Sequence, residues 1–95
     1  MKITIIQEDV DLAIKEKKLQ IPEWNCCPIF QAAKRMGLNP DCVTNTTLLL
    51  KDGRKFKPSK NAKNFIHCFD HDKPYQLSTF IFTPRYELME RFFPN

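Results

Sequence analysis

The sequence predicts an α+β fold in which a small antiparallel sheet carries helices on one of its faces. Three observations indicate this class: apolar residues recur at helical spacing in three segments, short β-branched or aromatic runs lie between them, and Asp52-Gly53 separates two such runs. The order of the strands is left open. The predicted strands span residues 2–6, 42–50, 54–57 and 76–83, and the predicted helices span residues 8–18, 27–36 and 60–71.

The length and composition indicate one small folded domain. The chain has 95 residues, of which 42% are hydrophobic and only two are glycine. This composition is typical of a globule with a single modest core and not of a disordered tail. We expect residues 1–84 to form the domain and residues 85–95 to form an apolar C-terminal tail whose spacing fits about two helical turns.

The first strand and the first helix follow from a change of pattern after Ile6. Residues 3–6 are apolar on both faces of a strand, which predicts neighbouring strands on either side. Val10, Ala13 and Ile14 then share one face of a helix. Acidic residues open this helix and lysines close it, which is the order that the helix dipole favours, so the charge layout has a structural explanation.

A connection over residues 19–25 carries the only tryptophan. Pro22 prevents the helix from continuing and leaves Trp24 free to fold back. Trp24 either fills part of the core, which we favour because large aromatic side chains are mostly buried, or anchors a partner as interface hot spots do.

The second helix is indicated by Pro28 in its first turn and by an apolar stripe behind it. The small residues Ala32 and Ala33 in that stripe indicate close approach to a neighbouring backbone, which we expect to be the sheet. Gly37 supplies the left-handed residue that ends the helix, and Leu38 supplies the apolar contact of a Schellman-type cap.

The centre of the chain predicts a hairpin. Residues 42–50 and 54–57 favour β structure, and the Asp52-Gly53 pair between them is a strong hairpin signal in which both turn residues are expected to adopt positive φ. Ser59, after the hairpin, is placed to cap the next helix by accepting from its first free amides.

The third helix is the segment around which the fold is predicted to form. It carries apolar residues at i, i+3, i+4 and i+7, the spacing of a stripe that a sheet must cover. The residues of this stripe are Ala62, Phe65, Ile66 and Phe69. The opposite side is expected to face water and carries Lys60, Lys63, Asn64, His67 and His71.

The last strand, residues 77–83, has β-branched and aromatic residues on both faces, and we place it centrally beside the first strand. The tail behind Pro84 carries more apolar surface than a frayed end should expose. It either docks on its own domain or forms a homodimer contact. The candidate residues for that contact are Tyr86, Met89, Phe92 and Phe93.

No residue pattern identifies a reaction. Cys27 stands at a helix start as a candidate nucleophile, but its base would have to be His67 or His71, on the side of their helix away from the core. A metal site would combine these histidines with Cys68 or the Cys26-Cys27 pair, and it lacks a second properly spaced ligand pair. We therefore predict that the protein is not an enzyme and has no catalytic residue, metal or cofactor.

Positive charge is concentrated around the hairpin and the third helix. The net charge is +4. Between residues 51 and 63, however, there are six basic residues and only one acidic residue, Asp52. The same charges suit an acidic protein surface or a nucleic-acid backbone. The predicted partner-binding residues are Lys51, Arg54, Lys55, Lys57, Lys60, Lys63 and His67.

The sequence also indicates the cellular compartment of the protein. No apolar run approaches the ~20 residues that cross a membrane, and acids follow the first apolar run closely. We expect a cytoplasmic protein with no membrane contact. All four cysteines are then expected to be free thiols, because that compartment is reducing.

Several short motifs are spread along residues 3–83. They are Gln7-Glu8-Asp9, Cys27-Pro28-Ile29 followed by Ala32 and Ala33, Phe65-Ile66 before Phe69-Asp70, Lys73-Pro74, and the closing Phe80-x-Phe82. In combination they resemble a set of small phage and prophage proteins that have no assigned activity. The tail after Pro84 and the doubled cysteine depart from that pattern.

The resemblance implies a biological context and no catalytic residue. Small phage proteins without catalytic patterns are often binders that inhibit or sequester a host component, including antiviral-defence proteins. We therefore predict a non-enzymatic binding protein that acts on a host macromolecule through its basic surface. Direct DNA or RNA binding and nucleotide sequestration at an oligomer interface are the alternatives.

Overall fold

The computed structural model describes residues 1–20 and 27–85, and it confirms the predicted α+β class. The elements are β1 (Lys2–Thr4), α1 (Gln7–Lys18), α2 (Pro28–Arg35), β2 (Pro40–Val43), β3 (Leu48–Leu50), β4 (Lys55–Pro58), α3 (Lys60–Asp70) and β5 (Thr79–Pro84). The five strands form one antiparallel sheet in the order β1-β5-β4-β3-β2. The predictions for Trp24 and for the tail fall on residues outside the described ranges.

The helices cover one face of the sheet. Along β4 and β5 buried and exposed side chains alternate, as expected for strands that have one face on a core. Phe56, Phe80 and Phe82 point towards the helices and are buried. Helices α2 and α3 pack on this side of the sheet, and α1 packs on α2.

The first strand pairs with the last strand as predicted, but it lies at the edge of the sheet. Ile3 is opposite Phe80 in the antiparallel pair of β1 and β5. The prediction of neighbours on both sides of β1 is wrong: only β5 pairs with β1 in the described structure, and exposed and buried side chains alternate along β1. Ile6 is already the N-cap of α1, and its side chain is partly exposed.

Residues 42–50 form parts of two strands and not the single strand predicted. β2 and β3 pair antiparallel, with Val43 opposite Leu48. Thr44 closes the turn between them: its amide donates to the Thr47 carbonyl over 2.9 Å, and its hydroxyl accepts from the Thr47 amide over 3.1 Å. Hydroxyl side chains that bond nearby backbone groups compete with a strand ladder, which explains why this β-favouring run folds back.

The predicted hairpin at Asp52-Gly53 is confirmed, but its turn differs from the expected one. Only Gly53 of this pair has a positive φ, at 95°. The Gly53 amide donates to the Leu50 carbonyl over 3.0 Å, and the Leu50 amide donates to the Arg54 carbonyl over 2.9 Å. The Asp52 carboxylate accepts from the Arg54 amide over 3.0 Å, so Asp52 stabilises the turn through its side chain.

Helix α2 ends as the sequence predicts. Gly37 has a φ of 81°. The Leu38 amide donates to the Ala33 carbonyl over 2.9 Å and the Gly37 amide to the Lys34 carbonyl over 3.1 Å, which is the bond pair of a Schellman motif. Ala32 and Ala33 are fully buried, so the small residues do allow close packing.

The apolar stripe of α3 is buried, which confirms the central prediction for this helix. The Phe65 ring lies 5.0 Å from the Phe80 ring and 5.2 Å, edge-on, from the Tyr75 ring. The Ser59 hydroxyl accepts from the Ala62 amide over 3.2 Å and so caps the helix as expected. Burial of one such phenylalanine contributes about 1.5–3 kcal/mol, so the orientation of α3 is well determined.

An ion pair between the buried Asp9 and the exposed Arg35 ties β1, α1 and α2 together. Asp9, in the first turn of α1, is 1% exposed and accepts from the Ile6 amide over 2.9 Å. Arg35 donates to the two Asp9 oxygens over 3.2 and 3.1 Å and to the Thr4 carbonyl over 2.7 Å. The hydrogen bond to Asp9 is the main cause that raises the pKa of Arg35. From the sequence alone, nothing distinguishes Asp9 from the other acids at this helix start.

We predict that Asp9→Ala lowers the free energy of unfolding by about 2 kcal/mol, because the Ile6 amide and the Arg35 guanidinium lose their acceptor. For a domain of this size, this loss corresponds to a fall in Tm of roughly 8–16 °C. Thermal unfolding followed by circular dichroism measures the change. Asp11→Ala is the control, because Asp11 is an exposed acid on the same helix. Equal Tm values for the two variants would contradict a structural role for the ion pair.

Candidate binding surface

One face of the sheet is uncovered in the part of the chain that the structure describes. Its side chains come from the alternate strand positions that do not point towards the helices. We call this surface the open face, and its residues are Lys2, Thr4, Leu49, Lys55, Lys57, Thr79, Ile81 and Thr83. Leu49 is half-buried, whereas Ile81 is 53% exposed although it lies in a strand with neighbours on both sides.

The strand register sets lysines beside apolar residues on the open face. Lys2 lies opposite Ile81, and Lys55 lies opposite Leu49. Lys55 and Lys57 are two positions apart on β4, so their side chains leave the same face about 7 Å apart. The open face therefore sets single apolar residues among lysines, with Lys55 and Lys57 of β4 lying between Leu49 of β3 and Ile81 of β5.

Positive charge predominates in the strands that form the open face. Asp41 is the only acidic residue in the five described strands, whereas three lysines point outwards from them. None of these lysines forms an ion pair within the described part of the chain. A surface of this kind attracts acidic groups and repels basic ones.

The structure divides the seven predicted partner-binding residues among three places. Lys55 and Lys57 lie on the open face, Lys51 and Arg54 lie at the hairpin tip, and Lys60, Lys63 and His67 lie on the helix layer. The division arises because the chain passes from the sheet to the helix layer between Pro58 and Lys60. Basic residues that follow one another in the sequence therefore lie on separate surfaces of the folded protein.

The hairpin tip carries less free charge than its sequence suggests. Arg54 Nε lies 2.7 Å from the Asp52 carboxylate. The Arg54 backbone amide, together with the guanidinium, lowers the pKa of Asp52. Asp52 is therefore ionised at neutral pH and partly neutralises Arg54.

Two histidines line a small pocket on the helix layer. The rings of His67 and His71 lie 4.4 Å apart between centroids, and Lys73 Nζ lies 3.5 Å from His67 Nε2. Both histidines and Cys27 belong to the wall of a pocket of about 270 Å³. Both histidines are exposed, as predicted for their side of α3, although they share the wall of this pocket with Cys27. Cys27 is 4% exposed, which is typical of a packing thiol, so we assign no reaction to this pocket.

A larger cleft, of about 690 Å³, lies between the end of α1 and the segment that joins α3 to β5. We call it the lysine cleft, and its principal residues are Ile14, Lys17, Lys18, Phe69, Lys73 and Tyr75. Sequence reasoning missed this cleft for two reasons. The lysines at the end of α1 are already explained by the helix dipole, and the two walls are far apart in sequence.

The remaining predicted features are located as follows. Within residues 1–20 and 27–85, no three His, Cys, Asp or Glu side chains are grouped so that they would hold a metal ion. No helix in these ranges has the length and apolar character needed to cross a membrane. The proposed oligomer-contact residues and one cysteine lie outside the described residues, namely Tyr86, Met89, Phe92, Phe93 and Cys26.

The thiols of the sheet and of α3 do not form disulfides in the described structure. Cys42 and Cys68 are both half-buried thiols. Burial, with a smaller contribution from Asp41, raises the pKa of Cys42. Cys42 therefore stays protonated near neutral pH and is a poor nucleophile.

The fold and the surface together define a class of protein: a small two-layer α+β domain that exposes a basic sheet face. No family model matches the sequence, and comparison with curated proteins and with solved structures gave no match either. Function is therefore inferred from the surfaces themselves.

Proposed function

We propose that this protein is a non-enzymatic binding protein whose open face holds the acidic surface of a partner protein. The observation that supports this function is the uncovered sheet face, on which Ile81 lies opposite Lys2 and Leu49 lies opposite Lys55. Exposed apolar side chains supply contact area in a protein interface, and the neighbouring cations supply electrostatic complementarity. The positive charge selects an acidic partner, because it speeds encounter with acidic surfaces and disfavours basic ones.

The positions of the aromatic side chains favour a protein partner over a nucleic acid. Proteins that bind single strands stack the bases on exposed aromatic rings. Among the described residues, the strand phenylalanines Phe56, Phe80 and Phe82 point into the core, and Tyr75 lies in the lysine cleft on the helix layer. The described part of the open face therefore offers aliphatic and cationic groups but no ring on which a base stacks.

The proposed partner is a macromolecule of a host cell. The resemblance of the sequence to small phage proteins supports this choice, as does the absence of any recognisable catalytic pattern in the sequence. In this proposal, binding inhibits or sequesters the partner in the cytoplasm of the host cell. The partner is expected to present a patch rich in aspartate and glutamate.

Self-association through the tail is a separate proposal. It is supported by the apolar composition of residues 85–95, which include Tyr86, Met89, Phe92 and Phe93. A mass measurement on the chain with and without residues 85–95 tests it. A homodimer is expected with the tail only, and a monomeric full chain would contradict the proposal.

Charge reversal on the open face is predicted to abolish capture of the partner. The double variant Lys55→Glu with Lys57→Glu puts negative charge where the acidic surface docks, so binding should be lost through like-charge repulsion. Both side chains are exposed, and the Tm should therefore stay close to that of the parent. Capture is measured by affinity purification from host-cell lysate followed by mass spectrometry.

The matched control for this experiment is Lys60→Glu with Lys34→Glu. It makes the same change of charge at two exposed helix positions and should leave capture intact. Capture that survives reversal on the open face, or that is lost equally in the control, would contradict the proposal.

Nucleic-acid binding is the second candidate function. The observation that favours it is the pair of lysines on one side of β4, because two cations along an extended strand are able to contact successive phosphates. Titration with a random-sequence oligonucleotide at several salt concentrations tests this candidate, since phosphate-driven affinity must fall steeply with salt. Absence of binding at low salt would remove it. A different result would be tight, salt-sensitive binding that the double variant Lys55→Glu with Lys57→Glu abolishes. The partner of the open face would then be a nucleic acid and not an acidic protein.

A further inference from the structure

We propose that the lysine cleft binds a nucleotide, with the base against its aromatic wall and the phosphates on its lysines. The cleft is formed by α1 and by the segment after α3, so it lies in the helix layer and is separate from the open face. The inference therefore adds a small-molecule site to the macromolecular binding proposed above, and neither depends on the other.

The cleft has the size and the apolar lining of a small-molecule site. Its volume of about 690 Å³ lies within the range of roughly 300–1,000 Å³ that is usual for such sites. Phe69 and Tyr75 form an aromatic wall, with ring centroids 6.0 Å apart at an interplanar angle of 63°. Tyr75 is 36% exposed, and Ile14 from α1 is 40% exposed. Phe69 is only 6% exposed and backs the wall, so Tyr75 and Ile14 present the apolar surface that a planar ring would cover.

Three lysines from two elements surround this apolar wall. Lys17 and Lys18 come from the last turn of α1, and Lys73 comes from the segment that follows α3. Lys17 Nζ lies 5.8 Å from the centre of the Phe69 ring, so one cation stands directly beside the wall. The helix dipole explains lysines at the end of α1 but does not explain Lys73, which a different element contributes.

The end of α3 positions Lys73 before any ligand binds. Asp72 adopts a left-handed φ of 54°, and the Lys73 amide donates to the Cys68 carbonyl over 2.8 Å, which is the long bond of a Schellman motif. The Lys73 side chain also contacts His67, which lies outside the cleft lining, with 3.5 Å between Nζ and Nε2. The backbone of Lys73 is therefore fixed, and only its side chain has to turn towards a bound anion.

The combination of ring and charge selects a nucleotide among anionic ligands. Among the described residues of the lining, Asp72 is the only acid, so the three lysines give this part of the cleft a positive charge. A fatty acid carries one negative charge and would leave most of this positive charge unmatched. A nucleoside polyphosphate supplies both a planar ring for the aromatic wall and several phosphate oxygens for the lysines.

Isothermal titration calorimetry on the full chain tests this site with three probes: ATP, tripolyphosphate and adenosine, at low salt and without divalent cations. ATP is expected to bind more tightly than either fragment, because only ATP contacts the aromatic wall and the lysines together. Lys17→Ala with Lys73→Ala should weaken ATP binding by about 100-fold, near tenfold for each charge-assisted hydrogen bond. The matched control, Lys55→Ala with Lys57→Ala, removes the same charge from the open face and should leave ATP affinity unchanged.

Three results would overturn the proposal. One is the absence of ATP binding at about 1 mM, which is the weak end of specific recognition. Another is equal affinity for ATP and tripolyphosphate, since the aromatic wall would then contribute nothing. The third is an equal loss of ATP affinity in the cleft and open-face variants. All four substituted lysines are exposed, so a Tm near that of the parent is expected for each variant and is checked by circular dichroism.

Discussion

The burial of the apolar stripe of α3 against β4 and β5 is the constraint on which the rest of the structure depends. Phe65 packs against Phe80 at 5.0 Å, and this contact fixes which side of β5 faces the helices. Because side chains alternate along a strand, Ile81 must then face the other way. The pairing of β5 with β4 extends the same rule to Lys55 and Lys57. A shift of register by one residue would bury these lysines, which the cost of burying charge forbids.

The ion pair of Asp9 and Arg35 provides the second fixed point of the fold. It joins the end of β1, the start of α1 and the end of α2, and it holds α1 over α2. The position of α1 matters for function, because the last turn of α1 forms one wall of the lysine cleft. The ion pair that stabilises the fold therefore also positions α1, which forms one wall of the proposed ligand site.

Features that depend on neighbouring residues were predictable from the sequence. Ser59 caps α3 and Gly37 ends α2, because a hydroxyl acceptor and a left-handed residue have the same local effect in most folds. The buried stripe of α3 followed from helical spacing in the same way. The sequence was therefore sufficient to predict the three helices, the central position of β5 and the existence of the hairpin at Gly53.

Features that depend on distant contacts were not predictable. The edge position of β1 is decided by the order of all five strands, which no local pattern encodes. The turn closed by Thr44 depends on two hydroxyl bonds that compete with a continuous strand. The predicted basic surface was one run in sequence, yet the passage from β4 to α3 divides it between two layers. The lysine cleft joins α1 to residues after α3, and the sequence gives no sign of that contact.

The central claim is that the helices shield one face of the sheet and leave the other accessible to a partner. Paramagnetic relaxation of isoleucine methyl groups by an inert, soluble gadolinium chelate measures this accessibility directly. We predict strong broadening of the Ile81 methyl signal, comparable to that of the exposed Ile14, while the signals of Ile3 and Ile29 in the core stay sharp. An Ile81 signal as protected as that of Ile3 would show that the face is covered, and it would contradict the claim.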